Sequence, residues 1–199
     1  SGIPQGSMLG PILFIIYMNN LSTINDEANC ILYADDTTIL LSDFNIENVY
    51  ARASVIFSAF SIWFSANKLA LNDSKTNFIV FANPKSEIKL LDYLQFDGHN
   101  VKRCDVVRYL GFMIDHKLTW EDHLLYTNNK VSKGLGMLRR CSSVFPKSCL
   151  LSLYYAFVYP FLTYGIEFWG QSAEFRLHPS RIAQNACVRV ISNMDRRAH

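Results

Sequence analysis

Two short apolar runs, three residues apart, constrain this chain most. Cys30-Ile31-Leu32-Tyr33 and Thr37-Thr38-Ile39-Leu40-Leu41 flank Ala34-Asp35-Asp36. Runs of four or five such residues suit strands rather than helices, and so short a connection leaves only a tight antiparallel hairpin. That hairpin carries two acids at its tip. Adjacent carboxylates repel, and one tends to take up a proton unless a cation neutralises them. Two readings stand on these residues alone. One is an ordinary solvent-exposed turn, where Asp is common. The other is a seat for a hard divalent cation, since Mg²⁺ prefers carboxylate oxygens together with substrate phosphates.

The remaining pattern is α+β, then helical. Residues 1–8 are rich in Gly, Ser and Pro and read as a loop, and Leu9 to Leu21 reads as a buried helix, apolar almost all round. Val49, Ala53, Ile56, Phe57, Phe60 and Phe64 recur at helical spacing, which predicts a helix from Ile46 to Leu69 capped by Asp43 or Asn45. Phe57, Phe60, Trp63 and Phe64 belong to its core side rather than to a platform for stacking bases. Strands are expected at Phe78 to Phe81, at Tyr93 to Phe96 and Asn100 to Lys102 around an Asp97-Gly98 turn, and at Val106 to Ile114. Glu121 to Cys141, Lys147 to Tyr159 and Arg176 to Asn193 read as helices. A boundary near residue 118 gives two regions, 1–118 and 119–199.

Charge divides along the same line. Residues 1–99 hold five Lys and Arg against ten Asp and Glu, and residues 100–199 hold fourteen against seven, within a net charge of +2. An acidic half beside a basic half suits metal chemistry next to phosphate binding, and equally suits ordinary surface charge. Five cysteines, none at C-x-x-C spacing, speak against a disulfide framework or zinc cluster and fit a reducing compartment. The five histidines show no metal-ligand spacing. Ser148 to Ile166 carries no charge and approaches the roughly 20 residues of a membrane span. Pro160, Gly165 and four tyrosines favour a buried helix and turn instead. A helix from Lys147 is expected to break near Tyr159, with Leu150, Leu151, Leu153, Tyr154, Phe157 and Val158 packed on the helices at 121–141 and 176–193.

One combination is far more specific. Ser1-Gly2-Ile3-Pro4-Gln5-Gly6-Ser7-Met8-Leu9-Gly10-Pro11 followed by Tyr33-Ala34-Asp35-Asp36 resembles the palm of reverse transcriptases, with the nearest look-alikes in non-LTR retrotransposons of the jockey and long interspersed element type. The resemblance extends over the whole chain. Leu71 to Thr76 is similar to the lysine-bearing palm segment. Tyr109-Leu110-Gly111, continuing to Asp115, Leu118, Trp120 and His123, looks like the primer-grip hairpin leading into the thumb. Pro160, Tyr164-Gly165, Trp169-Gly170, Arg181, Gln184-Asn185, Arg189 and Ile191 resemble the helical region downstream of the polymerase. The family's palm has a further metal-binding Asp on a strand upstream of the Gly-x-Pro-Gln-Gly loop. This sequence opens after that strand and without the fingers, and reads as a fragment.

The resemblance implies a partial polymerase palm, an antiparallel sheet with packed helices, followed by an all-helical thumb. It implies an RNA-directed DNA polymerase that extends a DNA 3′ end on an RNA template from deoxynucleoside triphosphates, using two Mg²⁺ ions or Mn²⁺ in their place. Asp35 becomes the first choice of metal ligand, with Asp36 a ligand or a support for its geometry. Lys75 is a general acid toward pyrophosphate or a solvated lysine. Gly2, Pro4, Gln5 and Gly6 form a loop close to substrate, with the Gln5 amide suited to a nucleotide edge or sugar, or simply the turn that enters the following helix. Ala34 is small enough to let a primer end approach, and Tyr33 supports that end or packs in the core. Tyr109, Leu110 and Gly111 meet the primer strand. Lys130, Lys133, Arg139, Arg140 and Lys147 either follow a phosphate backbone, with Gly134 and Gly136 permitting close approach, or form a solvated helix face. The implied setting is intracellular and nuclear, with no membrane partner. A different class of reading is a non-catalytic remnant that still binds a template–primer duplex.

Overall fold

The computed structural model of the chain describes residues 6–25, 28–72, 74–83, 85 and 88–194. The expected loop residues Gly2, Pro4 and Gln5 lie outside the described residues. Two compact units form, one from Ser1–Phe78 with Lys85–Cys104, the other from Ile79–Pro84 with Asp105–His199. The packing thus groups the 106–115 strands with the helices, whereas the boundary near 118 marks the change from strand to helix. Helices and small sheets make the chain α+β.

In the first unit, α1 (Leu9–Met18) runs into a 3-10 turn at Asn19–Thr23 and then the antiparallel pair β1 (Asn29–Tyr33) and β2 (Asp36–Leu40). The long α2 (Ile46–Ala66) starts where the sequence pattern places it. The Asn45 side chain accepts the Glu47 N–H at 2.9 Å, satisfying a donor that the first helical turn cannot. Its Ala53, Ile56 and Phe60 are buried. Ile56 and Phe60 pack with Met18, Leu21 and Ala28, and Ala53 packs with Leu94, Phe96 and Val101, so one helix serves two apolar clusters. Phe57 stacks on Phe96 with ring centres 4.6 Å apart, and Trp63 and Phe64 border the first cluster, all in core roles. By length and composition alone α2 could cross a membrane, yet this face is committed to the unit's own core. A three-stranded sheet follows, from β3 (Asn77–Phe78), β4 (Tyr93–Phe96) and β5 (His99–Arg103) in the order β3-β5-β4. The β4–β5 pair is antiparallel and turns at Asp97-Gly98, while β3 pairs parallel with β5 for two residues and does not continue to Phe81.

The expectation of a buried α1 is corrected. Met18 is buried, and Phe14 borders the same cluster, but Leu9, Ile12, Leu13, Ile15, Ile16 and Tyr17 are exposed, Ile15 and Ile16 by 64% and 65%. A helix apolar all round needs cover on every side, and the described residues of this unit cover one. The Tyr17 hydroxyl donates to the Asn67 carbonyl and ties α1 to the end of α2.

The second unit begins with a hairpin rather than one strand from Val106 to Ile114. β6 (Val106–Tyr109) and β7 (Phe112–Asp115) pair antiparallel around Leu110-Gly111. Then come α3 (Glu121–Cys141), α4 (Lys147–Phe157), α5 (Tyr159–Thr163), α6 (Ile166–Trp169) and α7 (Glu174–Ile191). The core joins Val131, Leu135 and Leu138 of α3 to Leu150, Tyr154, Val158, Leu162, Cys187 and Ile191. Each fully buried aliphatic side chain there contributes about 1.5–3 kcal/mol. The uncharged 148–166 stretch breaks where expected: α4 stops at Phe157 and Pro160 sits in the first turn of α5. Leu151 and Phe157 do not join the core. They are exposed, because the row Leu150, Tyr154, Val158 faces α3 and α7, with Leu153 packing at its edge. Gly134 has no room for a side chain: a Cβ there would lie 2.5 Å from Val158 Cγ2 and 3.1 Å from the Phe157 carbonyl. Its close approach serves helix packing rather than a phosphate, whereas Gly136 meets open space. Cys187 is fully buried, and all five cysteines are free.

Candidate functional site

The paired acids stand at the tip of the β1–β2 hairpin. Tyr33 pairs with Asp36, so the turn has only two central residues, Ala34 and Asp35. Ala34 takes φ +50°, a left-handed conformation that costs an L-residue about 1–2 kcal/mol. Backbone of this kind persists where the surroundings hold it, and it gathers at functional sites. Both carboxylates are exposed, and among the described residues neither is engaged by a lysine or arginine. Tyr33 is 62% exposed, which corrects the reading that packs it in the core. Leu32 and Ile39, by contrast, border the cluster beneath. The strands are thus anchored by alternate residues while the tip projects. Hard carboxylate oxygens at a solvent-facing tip fit a divalent ion that keeps water and substrate oxygens as its other ligands. They do not suffice to enclose one: among the described residues no group of three or more His, Cys, Asp or Glu could hold a metal. Lys75 lies exposed in a turn, its N–H bonded to the Asn72 carbonyl at 3.0 Å, just ahead of β3. No ion pair joins it to Asp35 or Asp36. Gly6 has φ +89° and open space around its Cα.

Tyr109, Leu110 and Gly111 fall together at the tip of the β6–β7 hairpin in the second unit. Both central residues have positive φ, +45° at Leu110 and +90° at Gly111. This is the I′ pattern, whose twist matches the strands. The Tyr164 hydroxyl donates to the Leu110 carbonyl at 2.6 Å, and its ring stacks on Phe112 at 4.8 Å. Below the hairpin, the buried Asp115 carboxylate accepts N–H groups from Lys117 and Thr119 at 3.0 Å and Trp120 at 2.8 Å. Burial pushes that carboxyl up, but the donors at Thr119, Trp120 and Lys117 outweigh it and hold the group below the usual carboxylate range. The same three bonds brace the chain between β7 and α3, where Leu118 and Trp120 both have positive φ.

His123 is 3% exposed among Phe112, Trp120, Tyr126 and Trp169. Its Nδ1 accepts the Met113 N–H at 3.4 Å and its Nε2 has no partner among the described residues. Burial lowers its pKa. The ring borders a cavity of about 490 Å³ that Gly111, Tyr126, Phe161 and Tyr164 also line. Sequence reasoning placed Asp115, His123 and Tyr164 within the family resemblance but gave none of them an individual role. Asp115 alone left a signal: an acid at the end of a strand, a few residues before a helix, is a natural acceptor for unpaired N–H groups.

The basic residues of α3 do not form one stripe. At roughly 100° per residue, Lys130 and Arg139 lie about 180° apart. Lys133 and Arg140 share the outward row and are exposed, as are Arg139 and the more distant Lys147. Lys130 is half-buried, its Nζ 5.4 Å from the Tyr126 ring centre and 5.7 Å from that of Phe161.

Comparison with known proteins bears on both hairpins. A family model described as reverse transcriptase (RNA-dependent DNA polymerase) matches residues 1–114. The chain is 27% identical over 204 residues to the RNA-directed DNA polymerase from mobile element jockey of Drosophila melanogaster, covering 96% of this chain and 22% of that protein. It is 28% identical over 208 residues to the probable RNA-directed DNA polymerase from transposon BS of the same fly, covering 97% and 22%. The jockey polymerase of Drosophila funebris is 25% identical over 202 residues, covering 96% and 22%. The chain thus spans about a fifth of the length of the curated relatives it matches. No solved structure matches it.

Proposed function

Because the chain belongs to the reverse transcriptase family, we propose that it is the part of a non-LTR retroelement's RNA-directed DNA polymerase that carries the paired acids of the polymerisation site and the segment following them. The observation that carries this reading is the β1–β2 tip, where Asp35 and Asp36 stand exposed and, among the described residues, without a cationic partner, on a backbone strained at Ala34. A protein gains nothing in stability from such an arrangement, but a divalent cation and a nucleotide phosphate would use it. Asp35 and Asp36 would hold Mg²⁺, or Mn²⁺ in its place, and ions bound there lower the charge barrier to nucleotide transfer onto a DNA 3′ hydroxyl. Lys75 offsets the charge of the pyrophosphate. Ala34 leaves room for the primer end beside Tyr33. The Tyr109–Gly111 turn supports the primer strand, and Lys133 and Arg140 meet backbone phosphates, with Lys130 and Arg139 at the flanks.

RNA template, DNA primer and deoxynucleoside triphosphates are the partners this reading requires, and the nucleus is where chromosomal DNA supplies the 3′ end. Two carboxylates leave the ions short of protein ligands, so a further acid must come from elsewhere in the full-length protein. The 199 residues alone are expected to extend no primer. The test is Asp35→Asn in the full-length protein, which keeps the shape and removes the charge. Extension on an RNA template should fall by at least roughly 1,000-fold, the loss of several kcal/mol of transition-state stabilisation, while RNA binding stays within a few-fold. Extension close to wild type would overturn the assignment. A wild-type protein that binds the duplex and adds no nucleotide would be the catalytically dead remnant instead.

A further inference from the structure

We infer that Tyr164 is a positioning residue for the primer-facing turn: its hydroxyl selects the orientation of the Leu110–Gly111 peptide. This rests on the reading above, in which that turn meets the primer strand. Three observations support it. First, the turn is not at rest. Leu110 sits at φ +45°, where a leucine pays about 1–2 kcal/mol, and the commonest β-turn, with both φ negative, is free of that cost although it matches the strand twist less well. That common turn is the mirror image of the present one and faces its central carbonyl the other way. Second, the Leu110 carbonyl is held from outside the hairpin by Tyr164, 54 residues along the chain.

Third, Tyr164 is itself fixed. Its carbonyl accepts the Trp169 indole N–H at 2.9 Å and its ring lies on Phe112. A Cβ on Gly111 would sit 3.3 Å from Tyr164 Cε1, and one on Gly165 would strike the Phe112 ring, so both glycines are needed for this approach. Phe112 in turn contacts Trp120, His123 and Phe168. A helical segment thus reaches back to set one peptide group. With the carbonyl turned to Tyr164, the trans peptide points the Gly111 N–H the opposite way, free of any partner among the described residues. An N–H presented like this suits an oxygen of the primer's sugar–phosphate backbone.

The test uses the full-length protein and a primer–template duplex. Tyr164→Phe removes the hydroxyl and keeps the stacked ring. The dissociation constant and KM for the duplex should rise roughly fivefold to tenfold, the size of one hydrogen bond's net worth, while KM for the nucleotide stays unchanged and the protein still melts cooperatively, at a temperature lowered only by the loss of that one bond. Leu110→Asn in the Tyr164→Phe background should restore duplex affinity, because Asn-Gly favours this turn without help. Duplex affinity within twofold of wild type in Tyr164→Phe overturns the inference, as does failure of Leu110→Asn to restore it. A wild-type protein that neither binds nor extends the duplex overturns the polymerase reading itself, a result distinct from either.

Discussion

The two hairpins look alike in sequence economy and are held in opposite ways. Each turns on two residues, and each puts a non-glycine residue at positive φ in the first turn position, Ala34 at +50° and Leu110 at +45°. The acid-bearing tip is left open, with no described side chain of its unit closing on Asp35 or Asp36. The Leu110–Gly111 tip is gripped by Tyr164, braced on Phe112 and underpinned by Asp115. The difference teaches where each derives its geometry. On the proposed reading, an open tip takes its final geometry from the ligands it binds, whereas a tip that only presents backbone must be made rigid by its own unit.

Breaking the comparison starts at the acids. Asp35→Asn should abolish primer extension and leave the urea unfolding midpoint where it is, since no internal bond is lost. Asp115→Ala should do the reverse to the second unit. Three partly buried N–H groups lose their acceptor, and stability should fall by about 3 kcal/mol, read from the unfolding of Trp120 and Trp169 fluorescence in a Trp63→Phe background. An Asp35→Asn protein that melts early, or an Asp115→Ala protein that does not, would erase the distinction between open and braced tips.

Next come the glycines and the alanine. Gly165→Ala places a Cβ into the Phe112 ring at a positive φ, and a loss of about 2–3 kcal/mol is expected from the same fluorescence. Ala34→Gly at the open tip should have the opposite sign. It relieves the left-handed cost but adds chain entropy to the unfolded state, for a net gain of about 0.5 kcal/mol in the first unit, followed by Trp63.

Acid gives the smallest expected effect and falls on the second unit. Burial lowers the His123 pKa below its usual 6.5, so the unfolded chain binds the proton more readily. Stability from the neutral ring is complete above 6.5 and declines as pH falls through the folded value. Asp115 keeps its share until pH passes below the usual 3.8 and loses it through its own lower folded value. The urea midpoint of the second unit should therefore be slightly lower at pH 5.5 than at pH 7.5, and His123→Gln should remove that difference.

The sequence is most legible where periodicity is long. The α2 and α3 spans follow from apolar spacing over many turns, and the β1–β2 tip follows from two flanking runs and the acids between them. It is least legible where a residue's partner lies far along the chain. By local pattern Val106 to Ile114 reads as one strand, because leucine, not asparagine, precedes Gly111 and the turn carries none of the usual chemistry, and only the family resemblance placed a hairpin there. The reason that turn holds is Tyr164, which no local pattern near Leu110 announces. Gly134 advertises a close approach but not its direction, which Val158 decides. For α1 the composition is clear and the cover is not: an all-apolar helix says that it must be enclosed, never by what.

Cys187 offers a use of the core that has nothing to do with nucleic acid. Its thiol is fully enclosed and desolvation pushes its pKa up to about 11, against some opposition from Arg139. A thiol that is both shielded and protonated reacts with an alkylating reagent only when α7 lifts from α3 and α4. Cys149, exposed on α4, reacts from the closed state. The ratio of the two labelling rates is therefore a built-in clock for how often the helical core opens.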